Sequence, residues 1–334
     1  MKRVNKGLAT VFFLLLFIFS ACGAPTTKRY EKEKFLFGTY IKIIVYTESE
    51  KLAESAFEKA FKEIERVDNR YNSKSKGSII YNLNEQNTPE KKVELDAEGY
   101  NIFKQVTEAY NMSKGKFDIT IEPLMIAWGF LDEMNPTRVP TDLEIKESLK
   151  KVGYERVKVT PNSLVIEKPT ESLDTGAFLK GYAIEKGKEK LIEAGIEHGF
   201  ISAISSISTI GKKTNDVPWK IGIQNPEKAN ETLGVIELDN EAMGVSGDYQ
   251  TFVEIDGKKY HHILDKETGY PISDKKMVVV VGKDALEEDL LSTALFSMNE
   301  KQIKEFMELN KNLKILVVNS DMSTYKSENF KFIN

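Results

Sequence analysis

The sequence predicts an α+β fold, with mixed or antiparallel sheets and helices packed on them. Helical and strand patterns alternate irregularly, where a doubly wound parallel sheet would repeat strand and helix in strict turn. Asp256-Gly257 sits between alternating apolar residues, a strong hairpin signal. Residues 277–281 are all apolar, as in a strand buried on both faces.

The elements follow in order. Residues 35–46 alternate and are rich in aromatic and β-branched side chains, so they form a strand, and Gly38 inside it points to a bulge or a close ligand approach. Leu52, Ala53, Ala56, Phe57, Ala60, Phe61, Ile64 and Val67 recur at helical spacing. A polar stretch, 69–78, precedes a second helix over 97–112 with Tyr100, Phe103, Val106 and Tyr110 inward. Pro136 and Pro140 mark a loop over 135–144, followed by a helix over 142–152 and strands at 157–160 and 164–167. A helix over 176–194 leads to strands at 200–210, 219–224 and 232–238, then to the hairpin from 252. Helices at 285–298 and 301–309 and a strand at 313–319 close the chain. No repeat or linker divides residues 35–334, which read as one domain.

At 334 residues, 41% hydrophobic and 29% charged, the chain has an ordinary globular composition. A net charge of −4 argues against nucleic acid as a partner, because binding phosphate backbones takes a concentrated basic surface. The N-terminus has another character. Lys2, Arg3 and Lys6 precede an apolar run from Leu8 to Phe19, too short to span a bilayer but suited to a signal-peptide core. It ends at Cys22, the only cysteine, which excludes an intrachain disulfide. A lone cysteine after small residues at this place resembles a bacterial lipobox. Residues 1–21 are then a leader, Cys22 carries the lipid, and 22–34 form a tether. The expected location is extracytoplasmic, anchored to the cell membrane by lipid.

Four stretches carry residues suited to chemistry. His261-His262 lie on the returning strand of the hairpin, with Asp265 three residues further on and then a Thr-Gly-Tyr-Pro turn. A near-neutral base on a rigid edge suits catalysis, and a surface hairpin is the plain alternative. Gly115-Lys116-Phe117-Asp118-Ile119-Thr120 ends a helix, with Trp128-Gly129-Phe130 beyond it. Asp174-Thr175-Gly176-Ala177-Phe178-Leu179-Lys180 reads as a capped helix start, a place where free N–H groups meet phosphate. Asp289 and Thr293 stack at i and i+4, a hard-oxygen pair suited to Mg²⁺.

In order and content these stretches resemble the ApbE family of FAD:protein FMN transferases. The resemblance runs from Phe37-Gly38-Thr39 through Tyr71, Ser78 and Leu83-Asn84, and on to Thr293-Ala294-Leu295-Phe296. It implies an ApbE-like (T-fold-like) architecture. It also implies Mg²⁺-dependent transfer of FMN from FAD to a threonine hydroxyl of an acceptor protein, with release of AMP. The expected acceptors are redox-pump subunits or extracellular electron-transfer lipoproteins. Flavin contacts carry over to Phe37, Tyr71, Lys116, Phe117, Asp118, Asp174, Lys180 and Ile263. Metal contacts carry over to Ala177 by its backbone oxygen, Asp289 and Thr293, with Ser292 beside them. His262 is the expected base, with Asp265 orienting it or serving instead. The chain departs from the family pattern in places. Serines fill 205–206 where a Gly-Gly pair is usual, Phe37 replaces a methionine, and Lys266 stands where proline is common. FAD hydrolysis and flavin binding without catalysis are the neighbouring readings.

Overall fold

The computed structural model describes residues 27–131 and 138–333. Their order is β1 (Lys28–Leu36), β2 (Thr39–Thr47), α1 (Glu50–Tyr71), α2 (Ile79–Asn84), β3 (Glu90–Glu94), α3 (Ala97–Met112), α4 (Glu122–Ala127), α5 (Asp142–Leu149), β4 (Val157–Thr160) and β5 (Ser163–Glu167). Then come α6 (Leu179–Glu193), β6 (Gly199–Ala203), β7 (Ser206–Ile210), β8 (Trp219–Gln224), β9 (Thr232–Leu238), β10 (Ala242–Gly247), β11 (Phe252–Ile255) and β12 (Lys258–His261). The last are β13 (Lys275–Gly282), α7 (Ala285–Ser297), α8 (Glu300–Leu309), β14 (Lys314–Asn319) and β15 (Thr324–Lys326).

An eight-stranded antiparallel sheet, β1-β2-β6-β7-β10-β13-β14-β15, is the frame. The α+β class predicted from the sequence is therefore the one observed. Helix α1 begins at Ser49, whose side chain accepts Leu52 N–H, and buries Ala53, Phe57, Ile64 and Val67 as its spacing requires. It packs on α6, where a Cβ at Gly187 would stand 2.7 Å from Ile64 Cδ1. Together with Ile41, Ile43, Val45 and Ile201 of the sheet these helices form the main core. Strand β13 serves two cores, as its apolar run predicts. Val278 and Val280 face α7 and α8, while Met277, Val279 and Val281 face Trp219 and Ile236 of the β8–β9 hairpin.

The structure corrects several expectations. Residues 28–34, placed in the tether, form most of β1 and pair with β2 along its whole length. Gly38 makes no bulge: Phe37 (φ 55°) and Gly38 (φ 69°) form the tight turn of the β1–β2 hairpin. The expected strand over 200–210 is two strands, reversed at Ile204 and Ser205. The helix expected from 176 starts at Leu179. The leader, Cys22 and residues 135–137 of the 135–144 loop lie outside the described residues. Among the described residues, no helix is long and apolar enough to cross a membrane.

Candidate active site

The start of α6 meets the start of α7 at glycine. A Cβ at Gly181 would stand 2.1 Å from the Ala285 carbonyl oxygen, so only glycine lets the two backbones come this close. In this contact Gly181 N–H donates to Asp289 Oδ2 at 2.8 Å. Beside it opens a cavity of about 240 Å³. Lys116, Phe117, Asp118, Asp174, Ala177, Lys180, His262, Ile263, Asp289, Ser292 and Thr293 all line it. Four stretches far apart in sequence therefore line one cavity.

Asp289 is buried, and burial pushes its carboxyl up to about 6, opposed by the Lys180 charge, the Ser206 hydroxyl and the Gly181 N–H. Ser206 Oγ lies 2.7 and 2.8 Å from its two oxygens. The serines that depart from the family pattern thus include one that holds the aspartate. Thr293 does not bond back into its own helix; its Oγ1 lies 2.9 Å from Ser246 Oγ on β10. Gly181 N–H, which would close the next turn on the Ala177 carbonyl, goes to Asp289 instead, and among the described residues no backbone N–H takes that carbonyl. One carboxylate, one hydroxyl and one open carbonyl form an all-oxygen donor set. No group of three His, Cys, Asp or Glu suited to a metal occurs among the described residues. Such a set fits Mg²⁺, which takes few protein ligands and completes its shell with water and phosphate oxygens.

His262 lies half-buried on the cavity lining, just past the end of β12. Its Nδ1–H donates to the Thr251 carbonyl at 3.1 Å, which leaves Nε2 as an acceptor. Burial pushes its pKa down to about 4, so the ring is neutral at ordinary pH. Its neighbour His261 is structural: it is buried, Nε2–H donates to the Ile272 carbonyl at 2.6 Å, and Nδ1 accepts from Ile263 N–H at 3.2 Å.

The remaining wall is apolar. Phe117, Met125, Phe130, Ile263 and Leu264 face the cavity. Trp128 stacks behind Phe130 with centroids 6.3 Å apart, and its Nε1–H donates to the Gly269 carbonyl at 2.8 Å. This bond joins the Trp-Gly-Phe segment to the Thr-Gly-Tyr-Pro turn. Asp118 is saturated internally. Oδ1 accepts from Thr120 N–H and Oγ1–H at 2.9 and 2.6 Å, and Oδ2 from Tyr154 N–H and Lys266 Nζ at 3.1 and 2.8 Å. Lys266, at the place where the family commonly has proline, is the counter-charge of this buried carboxylate. Lys116 pairs with Glu267 at the rim, 2.5 Å apart. Lys180 lies in the first turn of α6, with Nζ donating to the Gly176 carbonyl at 3.1 Å. Asp174 caps the Gly176 turn through Oδ1 at 3.2 Å and does not cap the helix itself.

Three expected residues are not on this cavity. Tyr71 is buried in the main core, because it lies on the inner face of α1. Its ring is edge-on to Tyr182 and its hydroxyl donates to Glu98 at 3.1 Å. Phe37 packs against the same core from the β1–β2 turn, and its N–H donates to Asp68 at 3.0 Å. Asp265 does not orient His262, since the Thr251 carbonyl does so. Its own Oδ1 accepts Glu267 N–H at 2.8 Å and shapes the turn. Sequence reasoning missed Lys74, Ser246 and Thr251, and marked Ser206 only as a departure from the family pattern. Lys74 stood in a polar stretch without periodicity, and Thr251 acts through its backbone, which leaves no side-chain signal.

A family model described as ApbE family matches residues 37–317. The FAD:protein FMN transferase of Vibrio cholerae serotype O1 is 29% identical over 272 residues, covering 80% of this chain and 81% of the relative. That of Haemophilus influenzae is 27% identical over 332 residues, covering 96% and 94%. Among solved structures, the ApbE protein of Thermotoga maritima superposes with a TM-score of 0.80 at 30% identity, covering 91% of this chain and 98% of the other. The flavin transferase ApbE of Vibrio cholerae gives 0.80 at 25%, covering 92% and 100%.

Proposed function

The chain belongs to the ApbE family, and on that premise we propose that it transfers FMN from FAD to a threonine hydroxyl of an acceptor protein, releasing AMP, with Mg²⁺ as cofactor. The observation that carries this reading is the Gly181–Asp289 hydrogen bond. It draws the Lys180 helix and the Asp289–Thr293 helix together at a cavity that a neutral histidine also lines.

The apolar wall of Phe117, Met125, Phe130 and Ile263 takes the flavin ring system. Lys180, in the first turn of α6, faces the pyrophosphate with a full positive charge. Asp289, Thr293 and the Ala177 carbonyl hold Mg²⁺. When bound, the ion neutralises charge on the pyrophosphate and the departing AMP. His262 receives the proton of the incoming hydroxyl at Nε2, while the Thr251 carbonyl keeps Nδ1–H in place. Phosphoryl transfer runs on positioning and electrostatics, so no covalent protein nucleophile is needed.

Positive charge and an apolar run before Cys22 support an exported lipoprotein, held to the outer face of the cell membrane by lipid on Cys22. Its acceptors there are redox-pump subunits or electron-transfer lipoproteins. The test is incubation of the protein with FAD, Mg²⁺ and a threonine-bearing acceptor, read by in-gel flavin fluorescence and by AMP release. Flavin on the acceptor in step with AMP supports the reading. AMP and free FMN without a labelled acceptor would replace it with FAD hydrolysis.

A further inference from the structure

Beside Thr293 on the cavity lining runs a short line of hydroxyl groups. Thr293 Oγ1 is 2.9 Å from Ser246 Oγ, and Ser246 Oγ is 3.0 Å from Ser292 Oγ. Ser292 Oγ–H donates to the backbone carbonyl of Asp289 at 3.0 Å. A carbonyl only accepts, and a hydroxyl has one proton to give. That last bond therefore sets the direction of the others. Ser292 has given its proton to Asp289, so it accepts from Ser246. Ser246 has then given its own, so it accepts from Thr293. The proton of Thr293 is thereby turned into the protein, and its lone pairs are left towards the cavity. Ser246 and Ser292 line the cavity but are only 7% and 1% exposed, so little of either is open to water.

The fold makes the line. A Cβ at Gly244 would stand 2.3 Å from the Glu288 carbonyl oxygen, so β10 lies directly against α7. Ser246, two residues further along, points to the same face and reaches the helix.

We propose that Ser246 and Ser292 are positioning residues that orient the Thr293 hydroxyl for a divalent cation, and that Ser292 is not itself a ligand. This rests on the functional reading above. It goes beyond that reading by naming a residue, Ser246, that sets cation affinity without touching the ion. Outer hydrogen-bond partners of metal ligands change affinity by roughly 10–100-fold. A neutral hydroxyl partner belongs at the lower end.

The experiment is titration of the purified protein with Mn²⁺ alone, read by the loss of the free-ion electron paramagnetic resonance signal. Thermal melting in EDTA is the control for folding. Ser246→Ala is expected to weaken Mn²⁺ binding by about tenfold. Ser292→Ala, which frees Ser246 to point its proton either way, is expected to weaken it by less. Thr293→Val is expected to weaken it at least as much as Ser246→Ala, and adding Ser246→Ala to Thr293→Val should cost nothing more. Should Ser246→Ala fail to fold, Ser292→Ala and its combination with Thr293→Val supply the same comparison. Wild-type affinity in the serine variants, or losses that add fully in the double variant, would overturn the proposal. Absence of Mn²⁺ binding by the wild type would overturn the metal reading itself, and the hydroxyl line with it.

Discussion

Gly181 N–H donates to Asp289 Oδ2 at 2.8 Å, a bond between two helices whose residues are 108 positions apart. Three things follow from this one bond. It fixes the carboxylate, frees the Ala177 carbonyl, and requires a residue without a Cβ.

Gly181→Ala tests that requirement. The new methyl group would meet the Ala285 carbonyl at 2.1 Å, where only backbone movement can make room. A loss of about 1–3 kcal/mol is expected, the usual cost of overpacking a tight contact. Thermal melting should show a lower Tm, and flavin transfer should fall further than stability does, because α6 and α7 separate at the site. A variant with wild-type Tm and activity would show that the contact is loose.

Asp289→Ala removes the only carboxylate of the proposed donor set. FMN transfer is expected to fall to background at any Mg²⁺ concentration, with the fold retained by circular dichroism. Recovery of activity in excess Mg²⁺ would move the ion elsewhere.

His262→Ala should slow transfer by about 10²–10⁴-fold, the range for loss of a general base, while KM for FAD changes little. In the wild type at saturating Mg²⁺, the rate of transfer should be level from pH 8 to 5. It should fall by half near the pKa of about 4 as the ring takes up a proton. A fall centred on pH 6.5 would mean that the histidine is solvated and that its burial does not govern the reaction.

Glu288 supplies a stability test apart from chemistry. Its side chain is fully buried, Oε2 has no hydrogen-bond partner, and burial pushes its pKa from 4.5 up to about 9. Between these two values the folded state holds a proton that the unfolded state has released, so stability falls as pH rises through this window. Glu288→Gln should remove most of that slope, with a gain at pH 8 on the order of a few kcal/mol. Denaturant melts at pH 5 and pH 8 measure it, and equal slopes in the two proteins would place an ionised carboxylate at this position.

Much of the site was legible in local sequence. The Asp289–Thr293 pair follows from helical spacing alone, and the Asp256-Gly257 hairpin follows from its turn residues. Lys116 to Asp118 and Trp128 to Phe130 could be marked as one region because a glycine stop and clustered aromatics announce them. Tyr71 and Asp265 could not be assigned from type and position. A tyrosine on an amphipathic helix can face a core or a ligand with the same spacing. An aspartate before Thr-Gly can orient a neighbour or close its own turn, and here it closes the turn at 2.8 Å.

By itself, then, the sequence determined most of the longer helices and strands, the α+β class and the kinds of group available for chemistry, since periodicity and turn residues act over a few positions. Only the tertiary structure decided which of those groups meet. The bonds from Ser206 and Gly181 to Asp289 span 83 and 108 residues. They exist because β7 and β10 are neighbours in the sheet and α6 touches α7 through a glycine. Strand order and helix contact are properties of the whole packed chain, set by how its buried faces fit together, and no local pattern encodes them.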